Sequence, residues 1–424
     1  MRKEKQGMPT QPSLLTLVRQ PWSPWAKRIA LLLSGQWISL LGSAVVQFAI
    51  LWYIQRSTDS GAMLAVGVIC SFLPQALLAP YAAVWARRFG YKKLIVWADI
   101  CIAMATLTMA AIFSEGRGNL GWLFVLSVIR GAGAGLQAPA VNSLLPQLTP
   151  EEYQSRIGGL VGSAQSFAAL IPPIISAWLL SATALSNIFF LDVVTATVGI
   201  ALLLLIKLPV LRKEAAAAHP WRELFESLRY IRSDRPAGIT LGFFTLITLL
   251  LVPVSMLSPL LTLRLYGADY WLLTQLEIVY GVGAMLGGAW IAGSRMRNSY
   301  TRAMTVSAIT LGVLTALLGL PLRFYLFLAV MTAIGAWVSL FSGSCITLLE
   351  GKANPDSVPG VIILQQTAAT LCFPVGIAIF GLVADWLSIR TIFTFTGIAI
   401  IATGFWMTRF WAVFNKDDER HADR

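Results

Sequence analysis

The chain is 424 residues long, 57% of them hydrophobic and only 12% charged, with a formal charge of +12. A soluble protein carries about 25% charged residues, so this composition excludes an ordinary water-soluble fold and points to a lipid bilayer. Cys70, Cys101, Cys345 and Cys372 all lie in apolar stretches without metal or disulfide spacing, and His219 and His421 lie outside those stretches, so no metal site and no cofactor is expected.

Twelve apolar stretches are read as spans, at 29–54, 62–86, 94–114, 119–146, 157–181, 185–208, 237–263, 270–293, 302–320, 322–349, 359–384 and 389–411. A bilayer core needs about 20 apolar residues per helix, so the prediction is an all-helical membrane protein. The chain then divides into a tail (1–28), a six-helix bundle (29–208), a linker (209–236), a second six-helix bundle (237–411) and a tail (412–424).

The N-terminal tail is basic and carries interfacial Leu14, Trp22 and Trp25. The apolar run from Ile29 is too long for a cleaved signal core and is read as span 1. That span holds Gln36, Trp37, Gln47 and Phe48. Span 3 holds Asp99, about a quarter of the way in from its start. Span 4 holds Arg130 near its middle, beside Gly131 and Gly135 at small-xxx-small spacing. Span 5 repeats that spacing at Gly158 and Gly162 and adds Gln165, and span 6 contains Asp192. In the linker, Trp221, Leu224, Phe225, Leu228 and Ile231 have helical apolar spacing with arginines on the other sides, which predicts an amphipathic helix on the membrane surface. Span 8 contains Glu277, Tyr280 and the pair Gly283 and Gly287; span 10 contains Trp337 and closes on Glu350; Asp356 follows in a loop; span 11 contains Gln365, Gln366 and Phe373. The last residues, NKDDERHADR, read as disordered.

The positive charge is distributed as topology, not as a nucleic-acid surface. With alternating spans, 26 of the 32 Lys and Arg residues fall on the side of the N-terminus. Only Arg56, Arg117, Arg264, Arg323 and Arg390 fall on the other, and Arg130 is inside span 4. This positive-inside asymmetry predicts that both termini are cytoplasmic.

Charges within spans cost about 2.5–3.5 kcal/mol each on insertion scales and face protein or water. Arg130 has two candidate partners, Asp99 on the consecutive span and Asp192, which is closer in depth. Either pair reads as a proton- or substrate-linked switch or as a static ion pair. Glu277 has no obvious cation in neighbouring spans and is the first candidate to carry a proton, with Asp99 second; Asp192 is a further candidate that alternatively caps the end of span 6. Gln36, Gln47, Arg130, Gln165, Tyr280, Trp337, Gln365 and Phe373 are candidates to line a cavity for a bulky, partly apolar molecule. There is no G-x-x-x-x-G-K-[ST] loop and no cytoplasmic domain large enough for an ATPase, so transport would run on an ion gradient or on the substrate's own.

Local motifs add a resemblance. PYAAVWARRFGYKKLIVWAD, from Pro80 to Asp99, resembles the loop 2–3 signature of the major facilitator superfamily, G-x-x-x-D-R-x-G-R-K, and IRGAGAG, from Ile129, resembles its span 4 arginine motif. SGQWISLLGSAVVQFAILWYI, from Ser34 to Ile54, is similar to the macrolide-efflux branch. The resemblance implies two pseudo-symmetric six-helix bundles that rock about a central cavity. It implies no enzyme activity, and export of amphipathic compounds such as macrolides coupled to inward proton movement. Alternatives are export of an endogenous amphipathic metabolite such as a siderophore, or lipid flipping. The expected setting is the bacterial cytoplasmic (inner) membrane, as a monomer, with substrate, protons and lipid as its partners. The signature is altered, with Ala83, Arg87 and Tyr91 where relatives have glycine, aspartate and arginine, while Arg88, Gly90 and Lys92 remain. Arg87 is expected to pair with Asp356, or else Glu350, as a gate with its charges exchanged.

Overall fold

The computed structural model describes residues 24–206, 229, 235–267, 269–293, 300–352 and 358–422, parts of them by backbone alone. Among these residues are twelve helices and no strand: α1 (Pro24–Thr58), α2 (Gly61–Phe89), α3 (Tyr91–Ser114), α4 (Leu120–Leu148), α5 (Glu151–Ala182), α6 (Leu185–Leu205), α7 (Arg235–Tyr266), α8 (Tyr270–Gly293), α9 (Tyr300–Leu318), α10 (Phe324–Lys352), α11 (Val358–Val383) and α12 (Ile389–Ala422). Each predicted span has its helix, since backbone in hydrocarbon must satisfy its hydrogen bonds internally. Eleven helices are long and apolar enough to cross a membrane; in α5 the described apolar segment is Leu170–Ala182.

Local chemistry sets the helix ends. The Ser60 side chain accepts from the Met63 amide to cap α2, and Asn119 accepts from Trp122 to cap α4. Gly90 separates α2 from α3 at φ +95°, a backbone that side chains rarely adopt. The predicted disorder at the C-terminus is corrected, because α12 continues to Ala422. Extending an existing helix needs no new nucleus, so a polar tail propagates from the membrane helix where composition alone suggests a coil. The linker's amphipathic helix, apart from Arg229, lies outside the described residues, as does Asp356.

Packing repeats with a period of six helices. The contacts α1 with α6, α2 with α4, α3 with α4 and α3 with α6 recur as α7 with α12, α8 with α10, α9 with α10 and α9 with α12. Between the halves, α2 meets α11 and α5 meets α8, again related by the same shift. The predicted glycine pairs lie in equivalent seams but on opposite partners, on α4 in the first half and on α8, the counterpart of α2, in the second. A Cβ at Gly131 or Gly135 would strike main-chain oxygens of Ser71 or Gln75 on α2, and one at Gly283 or Gly287 those of Thr332 or Ala336 on α10. Gly158 and Gly162 lie where only the backbone is described. Gly283→Ala is therefore expected to destabilise the purified protein by about 1–3 kcal/mol, as overpacking does. Gly242→Ala on α7, where a Cβ meets nothing within 4 Å, is the control and should leave the thermal unfolding midpoint unchanged or raised.

Candidate functional site

Two layers of buried polar residues lie within the first half. In the upper layer, Arg130 of α4 and Asp192 of α6 are an ion pair, 5% and 0% exposed. Arg130 Nη1 also donates to Thr106 Oγ1 of α3 (2.9 Å), and Nη2 donates to the Ser43 carbonyl of α1 (2.8 Å). Ser43 Oγ donates to Asp192 Oδ1 (2.9 Å) and Thr106 Oγ1 to Oδ2 (3.1 Å). Of the two partners left open by the sequence, the structure puts Asp192 on Arg130.

In the lower layer, Asp99 of α3 is 2% exposed. Its Oδ1 accepts from Gln137 Nε2 of α4 (2.6 Å) and from Ser39 Oγ of α1 (3.3 Å), and Gln137 Nε2 also reaches Gln36 Oε1 (3.2 Å). Asp99 Oδ2 and Gln36 Nε2 are buried without hydrogen-bond partners among the described residues. The layers have a common geometry: Gln36 and Ser43, Asp99 and Thr106, Arg130 and Gln137 are each seven residues apart. Two turns of helix carry each pair about 10 Å along its axis on one face. Ser39, Ser43, Thr106 and Gln137 were not singled out from the sequence; that seven-residue spacing from Asp99 and Arg130 is the signal that marks Thr106 and Gln137.

Other candidates are dispersed. Gln47 donates to Ser71 Oγ (3.0 Å), tying α1 to α2. Glu277 is half-buried on α8, with no hydrogen-bond or ion-pair partner among the described residues. It lies on the stripe facing α5, between Thr274, whose hydroxyl donates to the Pro173 carbonyl (3.3 Å), and Gly281, which meets Leu170. Tyr280 follows one turn later. Phe373 of α11 stacks on Phe72 of α2 (6.1 Å between centroids) across the halves, and Trp337 lies against Trp290 of α8 (6.4 Å). Gln365 is buried on α11, and the Gln165 side chain falls outside the described residues.

The structure is closed at the end opposite the basic α2–α3 loop, through residues the sequence reading did not select. Arg264, at the end of α7, donates from Nε to Asp59 Oδ1 (2.9 Å) and from Nη2 to the Asp59 carbonyl (2.5 Å). Asp385, following α11, accepts from Ser60 Oγ (2.8 Å) and from the Gly61 and Ala62 amides (2.7 and 3.0 Å), so the second half caps α2 of the first. Arg56 lies over the Tyr270 ring (4.7 Å to the centroid).

A family model described as Major Facilitator Superfamily matches residues 32–322. The chain belongs to the major facilitator superfamily. Macrolide efflux protein A of Streptococcus pyogenes is 26% identical over 388 residues, covering 90% of this chain and 95% of that protein. The protein of the same name from Enterococcus faecalis is 26% identical over 315 residues, covering 73% and 97%. In fold, the chain resembles the nucleoside transporter NupG (TM-score 0.70, 13% identity, 91% of this chain and 99% of that one). It also resembles a D-xylose-proton symporter (TM-score 0.67, 13% identity, 91% and 97%). This major facilitator is a multi-pass membrane transport protein and not an enzyme.

The superfamily's loop 2–3 signature takes a particular form here. Lys92 Nζ donates to the carbonyls of Leu204 (2.9 Å) and Ile206 (2.8 Å), closing the end of α6. Tyr91, where relatives have arginine, accepts from Gln147 Nε2 through its hydroxyl (3.0 Å). Arg88 lies over Phe89, and Arg87 Nε is buried without a partner among the described residues. Its expected partner Asp356, and the side chain of Glu350, fall outside those residues.

Two outcomes are expected. Asp192→Asn strands Arg130 and should cost about 3–5 kcal/mol of stability, with Arg130→Gln added to it restoring part, as read by thermal unfolding and by yield of monodisperse protein. At the closed end, burial pushes the Asp385 carboxyl up, but bonds from Ser60, Ala62 and Gly61, and the Arg264 charge, outweigh it and hold the carboxyl below its usual range. A lowered value means that closure is supported above the ordinary carboxylate range and lost only as pH falls through the lowered one. Closure should therefore persist from neutral pH to about pH 4. Asp385→Asn should shift the balance toward opening by about five-fold for each ~1 kcal/mol lost. Faster labelling of Leu64→Cys by an impermeant maleimide reports this; an unchanged rate would show that Asp385 does not hold the closure.

Proposed function

We propose that this protein exports amphipathic compounds of the macrolide type across the bacterial cytoplasmic membrane, by alternating access driven by inward proton movement. The relatives named for macrolide efflux match over most of their own length and of this chain, which supports export of that substrate class. The asymmetry of Lys and Arg supports placing both termini and the α2–α3 loop in the cytoplasm. Closure at the opposite end then corresponds to a state facing inward, and rocking of the halves (29–208 and 237–411) exposes the other side.

One observation carries the proton coupling: Glu277 lies in the α5–α8 seam between the halves, with no cation against it among the described residues. A carboxylate there changes its surroundings whenever the halves move, which is what a gradient-coupled carrier requires. The aromatic pair Phe72 and Phe373 in the α2–α11 seam supports an apolar substrate path beside it.

The test is a susceptibility panel in an efflux-deficient host, with and without a protonophore, alongside Glu277→Gln. Protection against macrolides that the protonophore abolishes is expected. Glu277→Gln should lose uphill efflux while still binding ligand. Efflux with unaltered pH dependence in that variant would rule Glu277 out, and no protection against any amphipathic drug would rule out drug export.

A further inference from the structure

We propose that Asp99 is a proton-binding site in its own right, separate from Glu277, and that Gln36 and Gln137 are positioning residues that serve both its ionised and its protonated form. The use of this site in transport rests on the proton-coupled reading above; the binding of the proton does not.

The argument begins with what surrounds the two buried carboxylates of the first half. Asp192 receives donors at both oxygens, and one of them is Arg130, which has no acceptor to offer a carboxyl proton. Protonating Asp192 would leave that arginine buried without its counter-charge. Asp99 has no cation against it among the described residues. On the elements packed about it, the charged groups nearest in depth are Arg130 of α4 and Asp192 of α6, which are committed to each other, while Lys27 and Arg28 of α1 are at the basic end and Arg56 of α1 lies over Tyr270 at the closed one. Lys92 and Lys93 of α3 and Arg87 and Arg88 of α2 are at the basic end, with Lys92 already engaged on the end of α6. α1 presents to Asp99 only the neutral Gln36 and Ser39. Ionised, Asp99 leaves this half with one uncompensated buried negative charge; a proton removes it.

The cradle is built for the change. The two buried atoms without partners are of opposite kind, the acceptor Asp99 Oδ2 and the donor Gln36 Nε2. A carboxylate oxygen is completed by that amide, or by one water that accepts from the amide and donates to the oxygen. A proton on Oδ2 turns the oxygen into a donor, and the Gln36 amide, rotated about its terminal bond, presents an oxygen in place of the NH2 group at the expense of the 3.2 Å bond it accepts from Gln137. Gln137, 2.6 Å from Oδ1, holds the carboxyl plane in place meanwhile. The proton comes from a hydronium ion at the basic end, which leaves as water, and the only bond made is O–H on Oδ2. Gln36, first read as a substrate contact, thus acts on Asp99.

Difference infrared spectra of the purified full-length protein between high and low pH test this. In Glu277→Gln, beside the bands of water-exposed carboxyls, one carboxylic-acid carbonyl band at the higher frequency of a carboxyl shielded from water should remain, sensitive to deuterium exchange. Asp99→Asn should abolish that band. Gln137→Leu and Gln36→Leu should keep it but shift its frequency and its titration midpoint. A band that survives Asp99→Asn, or that is already missing in Glu277→Gln, overturns the proposal. Should Asp99→Asn fail to fold, an unmoved band in both glutamine variants overturns it instead. The outcomes separate the two readings. Efflux indifferent to a protonophore with the Asp99 band present removes the coupling and keeps the site. Protonophore-sensitive efflux with no Asp99 band does the reverse.

Discussion

The ion pair of Arg130 with Asp192 organises the first half of the molecule. A guanidinium within a span is tolerable only with its charge matched, and the match here draws in α1, α3, α4 and α6 together. Four helices thereby acquire a fixed rotation about their axes. Once Ser43 and Thr106 face the pair, the residues two turns away on the same helices, Gln36 and Asp99, face each other as well. The lower layer follows from the upper one by helix geometry.

The seams between the halves share one kind of contact with those inside a half and add others. Within a half, glycines bring α2 against α4 and α8 against α10 closely enough for side chain to meet main chain. Between halves, Gly61 and Gly381 bring α2 and α11 together in the same way, and a ring stack of Phe72 with Phe373, a cation over a ring at Arg56 and Tyr270, and a partly exposed charge pair of Asp59 with Arg264 add to it. Exposed pairs of that kind are worth about 0–1 kcal/mol. For pairs of this weight, a small bias is enough to move the balance between made and broken.

The twelve helices were legible because hydropathy over 20 residues is a local property, and the glycine pairs were legible for the same reason. Asp99, Arg130 and Asp192 stood out as charges in apolar runs, but their pairing depended on rotation about helix axes, which depth alone does not give. Gln137 stayed hidden because a glutamine in an apolar span looks like any cavity-lining residue until its partner on α3 is known. The closure at Ser60, Arg264 and Asp385 had no local pattern at all: three helix ends separated by up to 325 residues in the chain meet only in the assembled fold. The helical C-terminal tail was misread because composition reports what a segment does alone, not what it does as the continuation of a membrane helix.

Leu64, Ala65 and Val68 of α2 are buried in the same hydrophobic cluster as the core of the second half. The first turns of α2 are therefore shared property, and the halves cannot part at this end without wetting them. Wetting apolar surface adds heat capacity. The opening step should consequently carry a temperature dependence of its own, with an enthalpy that grows on warming and an Arrhenius plot that curves. The thermal response of such an opening is then set by three aliphatic side chains at the closed end, far from the buried charges of the first half.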